Sequence, residues 1–392
     1  MHDRRPDVVI VGAGPAGSTA AIFLAGAGAR VRLLDKAVFP REKLCGEFVS
    51  PEALPILART GVLGALAPRA SRIGEALLTS PSGGCVRIPV PGADSAPAAN
   101  EALGIPRRDL DAALAARAAA LGADVVEGFD VRALGFSGGR AVEVRGHARG
   151  SASQSGFSAD VVLAADGRDS VLARCVDPGR RLRRASPRFG IKAHFEGVAG
   201  GEGAVELHWF RGGYVGITDL GGGRANVCSL IDRAVAGGLP RDPERIVEEL
   251  FFTNPFARTR LAPARRVSDW HAVGSLVFRS ETPARAGVLF LGDAAGTIDP
   301  FAGEGISMAL RSAQIATEEI VRDRARAGAA YTLRWRAEFS RRIAFSRALG
   351  RFAVRPAIQR PLVGLLGRAP VLGRLLARGT RAGLRPRASG SA

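Results

Sequence analysis

The sequence predicts an α/β protein in three parts: a domain built on a parallel sheet, a second domain built on an antiparallel sheet, and a helical C-terminal segment. Three observations predict it: a strand–turn–helix–strand unit over 7–35, apolar strands ending in Asp-Gly and Gly-Asp near residues 166 and 292, and alternating strands over 188–232. We place the first domain at 1–75, 100–175 and 280–338, the second at 76–99 and 176–279, and the C-terminal segment at 339–392.

Composition excludes several classes of protein. Hydrophobic residues make up 46% and charged residues 23% of the 392 residues, which is typical of a folded globular chain. We find no apolar run of 18 residues, so we expect no membrane-spanning helix. The four cysteines are far apart without a C-x-x-C pair, which disfavours a metal site or disulfide scaffold and fits a reducing cytoplasm. Arg4 and Arg5 precede an apolar run, but Asp7 interrupts the entry to it, so we do not expect a signal peptide.

The net charge of +18 is concentrated at the C-terminus. Residues 341–392 contain twelve arginines and no acidic residue. Few aromatic residues and no recognisable module accompany them, so we expect no nucleic-acid partner. Pro356, Pro361 and Pro370 are expected to break this segment into short helices. Two interpretations stay open: a helical cap over the second domain, and amphipathic helices that touch an anionic membrane peripherally.

The first 35 residues form a complete βαβ pattern. A β-branched strand over 7–11 is followed by Gly12-Ala13-Gly14-Pro15-Ala16-Gly17, an Ala-rich helix over 18–28 and a second strand that ends at Asp35. In such a Rossmann-type unit Gly12 permits a tight turn, Gly14 lets the backbone approach a pyrophosphate, and Gly17 lets helix and strand pack closely. The helix N-terminus attracts the phosphates, and Asp35 can accept hydrogen bonds from a ribose. This pattern predicts dinucleotide binding without distinguishing FAD from NAD.

The motifs at two later strand ends distinguish FAD from NAD. The strand over 159–164 leads into Asp166-Gly167, and the strand over 287–291 leads into Gly292-Asp293 and the turn-rich segment 297–306. Together with the βαβ unit, these motifs resemble the FAD-binding family that contains the aromatic hydroxylases, the flavin-dependent halogenases and the geranylgeranyl reductases. The segments 39–47 and 299–306 are most similar to the geranylgeranyl reductase branch.

The resemblance implies a Rossmann-type, glutathione reductase-like FAD-binding domain and roles for particular residues. Asp293 would bind the ribityl chain, and Asp166 and Gly167 would lie near the pyrophosphate. Gly303, Gly305 and Ile306 would present N–H groups to the isoalloxazine, where reduced flavin carries negative charge. The complete set of expected cofactor-binding residues is Gly12, Gly14, Pro15, Ala16, Gly17, Asp35, Lys36, Arg41, Cys45, Gly46, Arg107, Asp166, Gly167, Gly292, Asp293, Pro300, Gly303, Gly305 and Ile306.

Cys45 is the candidate catalytic residue. In the reductase branch a cysteine at this place lies near the flavin ring, where a thiol can donate a proton to a substrate carbon or simply pack. Glu47 stands where that branch commonly has a small residue, which is a departure from its pattern.

The middle of the chain predicts an antiparallel meander, and the resemblance implies that this sheet contacts the substrate. Polar and aromatic side chains along it are candidates either for pocket lining or for packing; they are His194, His208, Trp209, Tyr214 and Asn226. No H-E-x-x-H or Ser/His/Asp arrangement is evident, so we expect no metal and no hydrolytic chemistry.

The resemblance implies an FAD-dependent oxidoreductase that acts on a lipophilic, isoprenoid or polyketide-like small molecule. One alternative is reduction of a C=C bond, as in geranylgeranyl reductases; the other is NAD(P)H- and O2-dependent hydroxylation or epoxidation. A halogenase is disfavoured because we find no W-x-W-x-I-P segment, and a non-enzymatic flavin-binding subunit is a further alternative. NAD(P)H is the expected donor. Without a second βαβ fingerprint, it would have to reach the flavin through the FAD domain.

Overall fold

The parallel sheet expected from the βαβ motif is present. The computed structural model describes residues 6–90, 101–178, 188–237, 242–274, 281–353, 355–368 and 373. The sheet has the strand order β19-β20-β12-β1-β2-β8, in which only β19 is antiparallel to its neighbour. Its strands are β1 (Val8–Val11), β2 (Val31–Asp35), β8 (Asp124–Glu127), β12 (Val161–Ala164), β19 (Ala284–Arg285) and β20 (Val288–Phe290).

Both faces of this sheet are covered, which explains its continuous apolar strands. Helices α1 (Pro15–Gly26) and α9 (Gly305–Arg322) pack against each other, and α4 (Arg107–Ala120) packs on α1. An antiparallel sheet in the order β11-β10-β9 contacts the parallel sheet through β2 and β12. Its strands are β9 (Phe129–Ser137), β10 (Arg140–Ala148) and β11 (Gln154–Ser158).

The expected meander forms the centre of a second, eight-stranded sheet. Its order is β17-β13-β16-β15-β14-β5-β6, with β18 also paired to β13. All pairs are antiparallel except β14 with β5. The strands are β5 (Glu75–Thr79), β6 (Cys85–Pro89), β13 (Arg188–Glu196), β14 (Ala204–Phe210), β15 (Gly213–Gly221), β16 (Arg224–Asp232), β17 (Arg265–Arg266) and β18 (His271–Val273).

A small sheet and short helices complete the two domains. The sheet has the order β3-β7-β4, with β3 (Phe48–Val49), β4 (Ser71–Ile73) and β7 (Ala102–Gly104). The short helices are α2 (Leu54–Thr60), α3 (Leu63–Leu66), α5 (Val171–Val176), α6 (Arg233–Ala236), α7 (Pro243–Glu249) and α8 (Pro255–Leu261).

Two helices form the described part of the C-terminal region. The expected boundary after residue 338 falls inside α10 (Ala327–Ala353), and Phe339 is buried in the core of the parallel-sheet domain. Pro361 lies within α11 (Pro356–Arg368), so the expected interruption there is absent. Val363 and Leu366 of α11 are buried against the second sheet. Residues 374–392, and 91–99 of the second domain, lie outside the described residues.

Among the described residues, no helix combines the length and the apolar character needed to cross a bilayer.

Candidate FAD and substrate site

The glycine turn after β1 contains two glycines that the fold requires and one that it does not. A Cβ at Gly12, whose φ is +99°, would lie 2.3 Å from the Ala165 carbonyl oxygen. A Cβ at Gly17 would lie 1.8 Å from the Gly12 carbonyl oxygen. Gly14 differs, because its Cβ would approach nothing more closely than Arg41 Nη2 at 3.7 Å. The space beside Gly14 therefore admits a methyl group, in van der Waals contact with the Arg41 and Arg107 side chains.

Helix α1 begins in this space without a capping side chain or an acidic residue in its first turn. Pro15 stands at the start of the helix, followed by buried Ala16. The uncapped N–H groups and the helix dipole make this end of α1 suitable for an anion.

Asp35 supports the same turn. Its Oδ2 accepts a hydrogen bond from the Ala13 N–H at 2.7 Å, and its Oδ1 accepts one from the Ala37 N–H at 2.8 Å. Asp35 is buried at the end of β2, so it holds the turn in addition to any contact with a ribose. Lys36 is exposed and lines an open cavity of about 540 Å³ with Asp130, His147 and other residues.

Two arginines flank Gly14 and share one buried carboxylate. Arg107 donates to both oxygens of Asp111 at 2.9 and 2.8 Å, and Arg41 Nη1 lies 3.1 Å from Asp111 Oδ2. Asp111 is completely buried and fixes both guanidinium groups. Although burial opposes the charged form, the Asp111 charge outweighs it and raises the pKa of Arg107. Two cations therefore border the open space at the start of α1.

The two later motifs lie at neighbouring strand ends of the parallel sheet. Burial raises the pKa of Asp166, whose Oδ2 accepts from the Leu172 N–H at 3.2 Å while its buried Oδ1 has no partner among the described residues. Gly167 has a φ of +79° and open space around it. Asp293 is partly exposed, and its Oδ2 lies 3.7 Å from Arg168 Nε.

The turn from Gly292 to Ile306 ends in a second uncapped helix N-terminus. Gly292 has a φ of +54°, and its N–H donates to Ser312 Oγ at 2.9 Å. Pro300 begins a 3-10 turn that ends at Gly303, whose φ is +67°. Helix α9 starts at Gly305 and continues with buried Ile306. It has no side-chain cap, and a Cβ at Gly305 would meet nothing within 4 Å.

Cys45 lies in an irregular segment that connects these motifs to the second sheet. Its Sγ accepts a hydrogen bond from the Glu47 N–H at 3.3 Å, and it also interacts with the Arg107 guanidinium. Its carbonyl oxygen accepts from Asn226 Nδ2 at 3.0 Å. The thiol is half-buried, while the neighbouring Gly46 and Lys43 are exposed.

Glu47 is the centre of a buried ionic cluster. Its Oε1 accepts from Lys192 Nζ at 2.6 Å and from the Arg107 N–H at 2.9 Å, and its Oε2 lies 2.7 Å from His194 Nε2. Lys192 is also bonded to Glu42 Oε2 at 2.9 Å. Burial acts to raise the pKa of Glu47, but His194 and Lys192 outweigh it and hold that pKa below its usual value.

Three side chains of this cluster are close enough to one another to be considered as ligands of a metal ion. Glu42, Glu47 and His194 offer ligand atoms within 4.8 Å of one another. The Lys192 ammonium is bonded to both carboxylates and already supplies a neutralising positive charge.

One face of the second sheet changes from polar to apolar across its width. Lys192 pairs with Cys228 and His194 with Asn226, which places these four side chains on one face beside the Cys45 segment. Burial raises the pKa of Cys228 to about 12, so this thiol is neutral. The other half of the face is apolar and is covered by Val363 and Leu366 of α11. The sheet contributes Leu78, Val86, Ile88, Trp209, Tyr214 and Leu230 to this cluster.

Phe301 joins this apolar half to the flavin motifs. Its ring stacks on Trp209 with centroids 5.9 Å apart and meets the edge of Tyr214. Trp209 Nε1 and Asn226 Oδ1 are buried and have no partner among the described residues. These two polar atoms are candidates for binding a ligand, since buried polar groups are usually hydrogen-bonded.

His208 lies on the opposite face and takes no part in this arrangement. It is completely buried between Glu206, at 2.8 Å from Nε2, and Thr79, at 2.9 Å from Nδ1. Of the two interpretations for His208, the structure therefore supports packing.

The residues present fit FAD. An open glycine turn, an uncapped helix and two fixed arginines suit a pyrophosphate, and a second uncapped helix N-terminus suits an anionic ring. The unpartnered Asp166 Oδ1 at the intervening strand end is a further acceptor. Fold and site together define a protein that binds a flavin dinucleotide.

Comparison with known proteins agrees with this class. A family model described as an FAD binding domain matches residues 5–194. The chain is 33% identical over 343 residues to the menaquinone reductase of Mycolicibacterium smegmatis, covering 80% of this chain and 76% of that protein. It is 29% identical over 346 residues to digeranylgeranylglycerophospholipid reductase 2 of Methanopyrus kandleri, covering 86% and 83% of the two chains. The chain belongs to the family of FAD-dependent oxidoreductases that includes these reductases and several halogenases.

The fold is shared with solved flavoproteins. A flavin-dependent brominase superposes with a TM-score of 0.79 at 18% identity, covering 96% of this chain and 93% of the other. The expectations of an α/β FAD-binding fold and of an FAD-dependent oxidoreductase are thus confirmed.

Sequence reasoning missed two buried charges of the candidate site, Lys192 and Asp111, and named His194 and Arg107 without connecting them to Glu47. One signal was available, since Lys192 is one of only three lysines and lies in an alternating strand. Its ion-pair partners are about 150 residues away in sequence, and no local pattern identifies them.

Proposed function

We propose that the protein uses FAD to reduce a carbon–carbon double bond of a lipophilic, isoprenoid-like substrate. The observation that carries the proposal is the position of Cys45, a half-buried thiol between the cofactor motifs and the sheet face that becomes apolar towards α11. The resemblance to enzymes named as menaquinone and digeranylgeranylglycerophospholipid reductases supports an isoprenoid substrate.

The site residues divide between cofactor and substrate. We assign the pyrophosphate to the turn Gly12–Gly17 with Arg41 and Arg107, and the isoalloxazine to Gly303, Gly305 and Ile306. Asp35, Lys36, Gly46, Asp166, Gly167, Gly292, Asp293 and Pro300 complete the cofactor contacts. When bound, FAD would supply the hydride for one carbon of the double bond, so that a proton is needed only at the other carbon.

Cys45 acts as the proton donor in this proposal. The S–H bond breaks, the proton goes to one carbon of the double bond, and the sulfur keeps the electron pair. The Glu47 N–H and the Arg107 guanidinium stabilise the resulting thiolate. Phe301, which is partly buried and is backed by the stacked Trp209 ring, borders the apolar part of the substrate.

We also propose NAD(P)H as the reductant and a glutathione reductase-like class for the FAD domain. The three-stranded sheet β9–β11, which contacts the parallel sheet, supports the latter. The described residues form one parallel sheet, so NAD(P)H would approach through that domain. Anaerobic bleaching of bound FAD by NADH or NADPH tests this; no bleaching by either would exclude it as the donor.

A product assay tests the reaction. The holoenzyme is incubated with a prenylated quinone, a reductant and either air or argon, and products are identified by mass. We expect a gain of two hydrogens under both gases that persists after the quinone ring has been chemically reoxidised, because a saturated double bond does not reoxidise as a quinol does. A product that gains oxygen only in air would establish oxygenation instead.

Cys45→Ala tests the proton donor. We expect FAD content to be unchanged and product formation to fall by about 10²–10⁴-fold, the usual contribution of a positioned acid. Cys85→Ala is the matched control, because Cys85 is exposed on β6. Unchanged turnover in Cys45→Ala would remove the acid role.

Membrane contact stays a prediction. Helix α11 covers the second sheet through Val363 and Leu366 while Leu365 is exposed, so capping and peripheral binding are compatible. Sedimentation with anionic liposomes, comparing the full chain with one ending at Arg368, tests whether the basic residues beyond α11 bind lipid.

A further inference from the structure

An arginine far from the cofactor motifs in sequence reaches the start of helix α9. Arg342 belongs to α10 and is almost completely buried. Its Nη2 lies 2.8 Å from Glu52 Oε2 and 3.2 Å from Glu304 Oε2. Because the charge of Glu52 and then that of Glu304 outweigh burial, the pKa of Arg342 is raised and it remains a cation.

Glu304 is the last residue before α9. An acidic side chain at this position is close enough to a helix start to bond its N–H groups. Glu304 makes no such capping bond. Its Oε2 instead accepts from Ser307 Oγ at 2.6 Å and from Arg342. The α9 N-terminus therefore stays uncapped although an acid adjoins it.

We propose that Arg342 is a positioning residue that holds and neutralises Glu304, and so keeps the α9 N-terminus positive towards the flavin. This inference rests on the proposed placement of the isoalloxazine at Gly303 and Gly305. Reduced flavin carries negative charge, which a positive helix end stabilises in a site of low dielectric constant. Arg342 thus raises the midpoint potential of bound FAD.

The test measures the midpoint potential of the holoprotein by equilibration with reference dyes. We expect Arg342→Met to lower the reduction equilibrium constant of bound FAD by about tenfold, which corresponds to ~30 mV for a two-electron couple. Glu304→Gln should raise the potential, and the double variant should return it towards the wild-type value. Arg342→Lys, which restores a cation, should recover most of the shift.

The matched control is Arg334→Met. Arg334 also joins α10 to α9, through Glu318 at 2.8 Å, but near the C-terminal end of α9. It should destabilise the protein without moving the potential. Equal shifts in Arg334→Met and Arg342→Met would show a general effect of loosening α10 and overturn the inference.

The remaining outcomes separate this inference from the proposed site. If Glu304→Gln raises the potential and Arg342→Met leaves it unchanged, Arg342 has no such role although the flavin is placed correctly. If neither variant moves the potential, the isoalloxazine does not lie at the α9 N-terminus. The role of Arg342 and the proposed placement of the flavin then both fail. If Arg342→Met does not fold, the double variant decides, because it removes the buried Glu304 charge together with its cation. A potential below that of Glu304→Gln supports the role of Arg342, and a potential equal to that of Glu304→Gln removes it.

Discussion

Replacement of Gly14 and Gly17 in the β1–α1 turn by alanine separates the demands of the fold from those of the ligand. Gly14 has a φ of −77°, and an added Cβ would meet nothing within 3.7 Å. Gly14→Ala should therefore fold normally and gain about 0.4–1 kcal/mol from the smaller entropy of the unfolded chain. Gly17→Ala places its Cβ 1.8 Å from a carbonyl oxygen and should cost about 1–3 kcal/mol or more.

FAD binding should respond differently from stability: Gly14→Ala, which the fold tolerates, should weaken FAD binding strongly. A methyl group in the open space displaces the pyrophosphate from the first turn of α1. The loss of two charge-assisted hydrogen bonds, about 1.5–3 kcal/mol each, weakens binding by roughly 10²–10⁴-fold. Gly14→Val should abolish binding.

Two measurements check this prediction: the melting temperature of the apoprotein and the dissociation constant of FAD from quenching of its fluorescence. Gly17→Ala is the control for structural damage. A Gly14→Ala protein that binds FAD as tightly as the wild type would refute the assignment of the pyrophosphate. A Gly14→Ala protein that melts well below the wild type would refute the claim that the fold leaves this space open.

Three further predictions concern charges. Lys192→Met leaves Glu47 buried without its cation and should lower the free energy of unfolding by about 3–5 kcal/mol in a denaturant titration. The control Arg245→Met, which breaks an exposed ion pair on α7, should lower it by less than about 1 kcal/mol. Equal losses in the two variants would contradict the structural role of the Glu47 cluster. Asp293→Ala should weaken FAD binding by about 1.5–3 kcal/mol in a fluorescence titration, and an unchanged dissociation constant would remove Asp293 from the cofactor site. Burial acts to raise the pKa values of Glu47 and Glu206, but their cationic and hydrogen-bonded partners dominate and lower them. The stability that these two carboxylates contribute is therefore present above the unfolded pKa near 4.5 and is lost as the pH falls below that value. A melting temperature that stays constant from pH 6 to pH 3 would contradict this.

The fold could be predicted where local pattern and tertiary role agree. The β1–α1–β2 unit follows from a buried strand, a glycine turn and an acid, although α1 begins at Pro15, three residues before the expected Ser18. Proline at the first helical position signals this start, since its missing N–H would be unpaired there anyway. Pro361, by contrast, was expected to interrupt the C-terminal helix, and it lies within α11. It lies near the beginning of α11, where one lost hydrogen bond is offset by burial of Val363 and Leu366.

The site could be predicted only as far as its motifs extend. Glycine turns specify a backbone shape and are visible in sequence, so Gly14, Gly303 and Gly305 could be predicted as site residues. Charge pairing depends on which strands meet. The pairing of Lys192 with Glu47 requires the second sheet to pack on the Cys45 segment, and nothing local encodes that contact.

The backbone of Glu47 explains why this cluster belongs to the site and is more than general stabilisation. Glu47 has a φ of +57°, a left-handed conformation that is rare for a residue with a side chain and costs about 1–3 kcal/mol. A small residue would adopt it more easily, so the glutamate persists against a local cost. Its side chain offsets that cost through bonds to Lys192, His194 and the Arg107 N–H, and its own N–H points at the Cys45 sulfur. The strained turn thus holds the thiol and Arg107 in one arrangement, which a flexible glycine at this position would not fix.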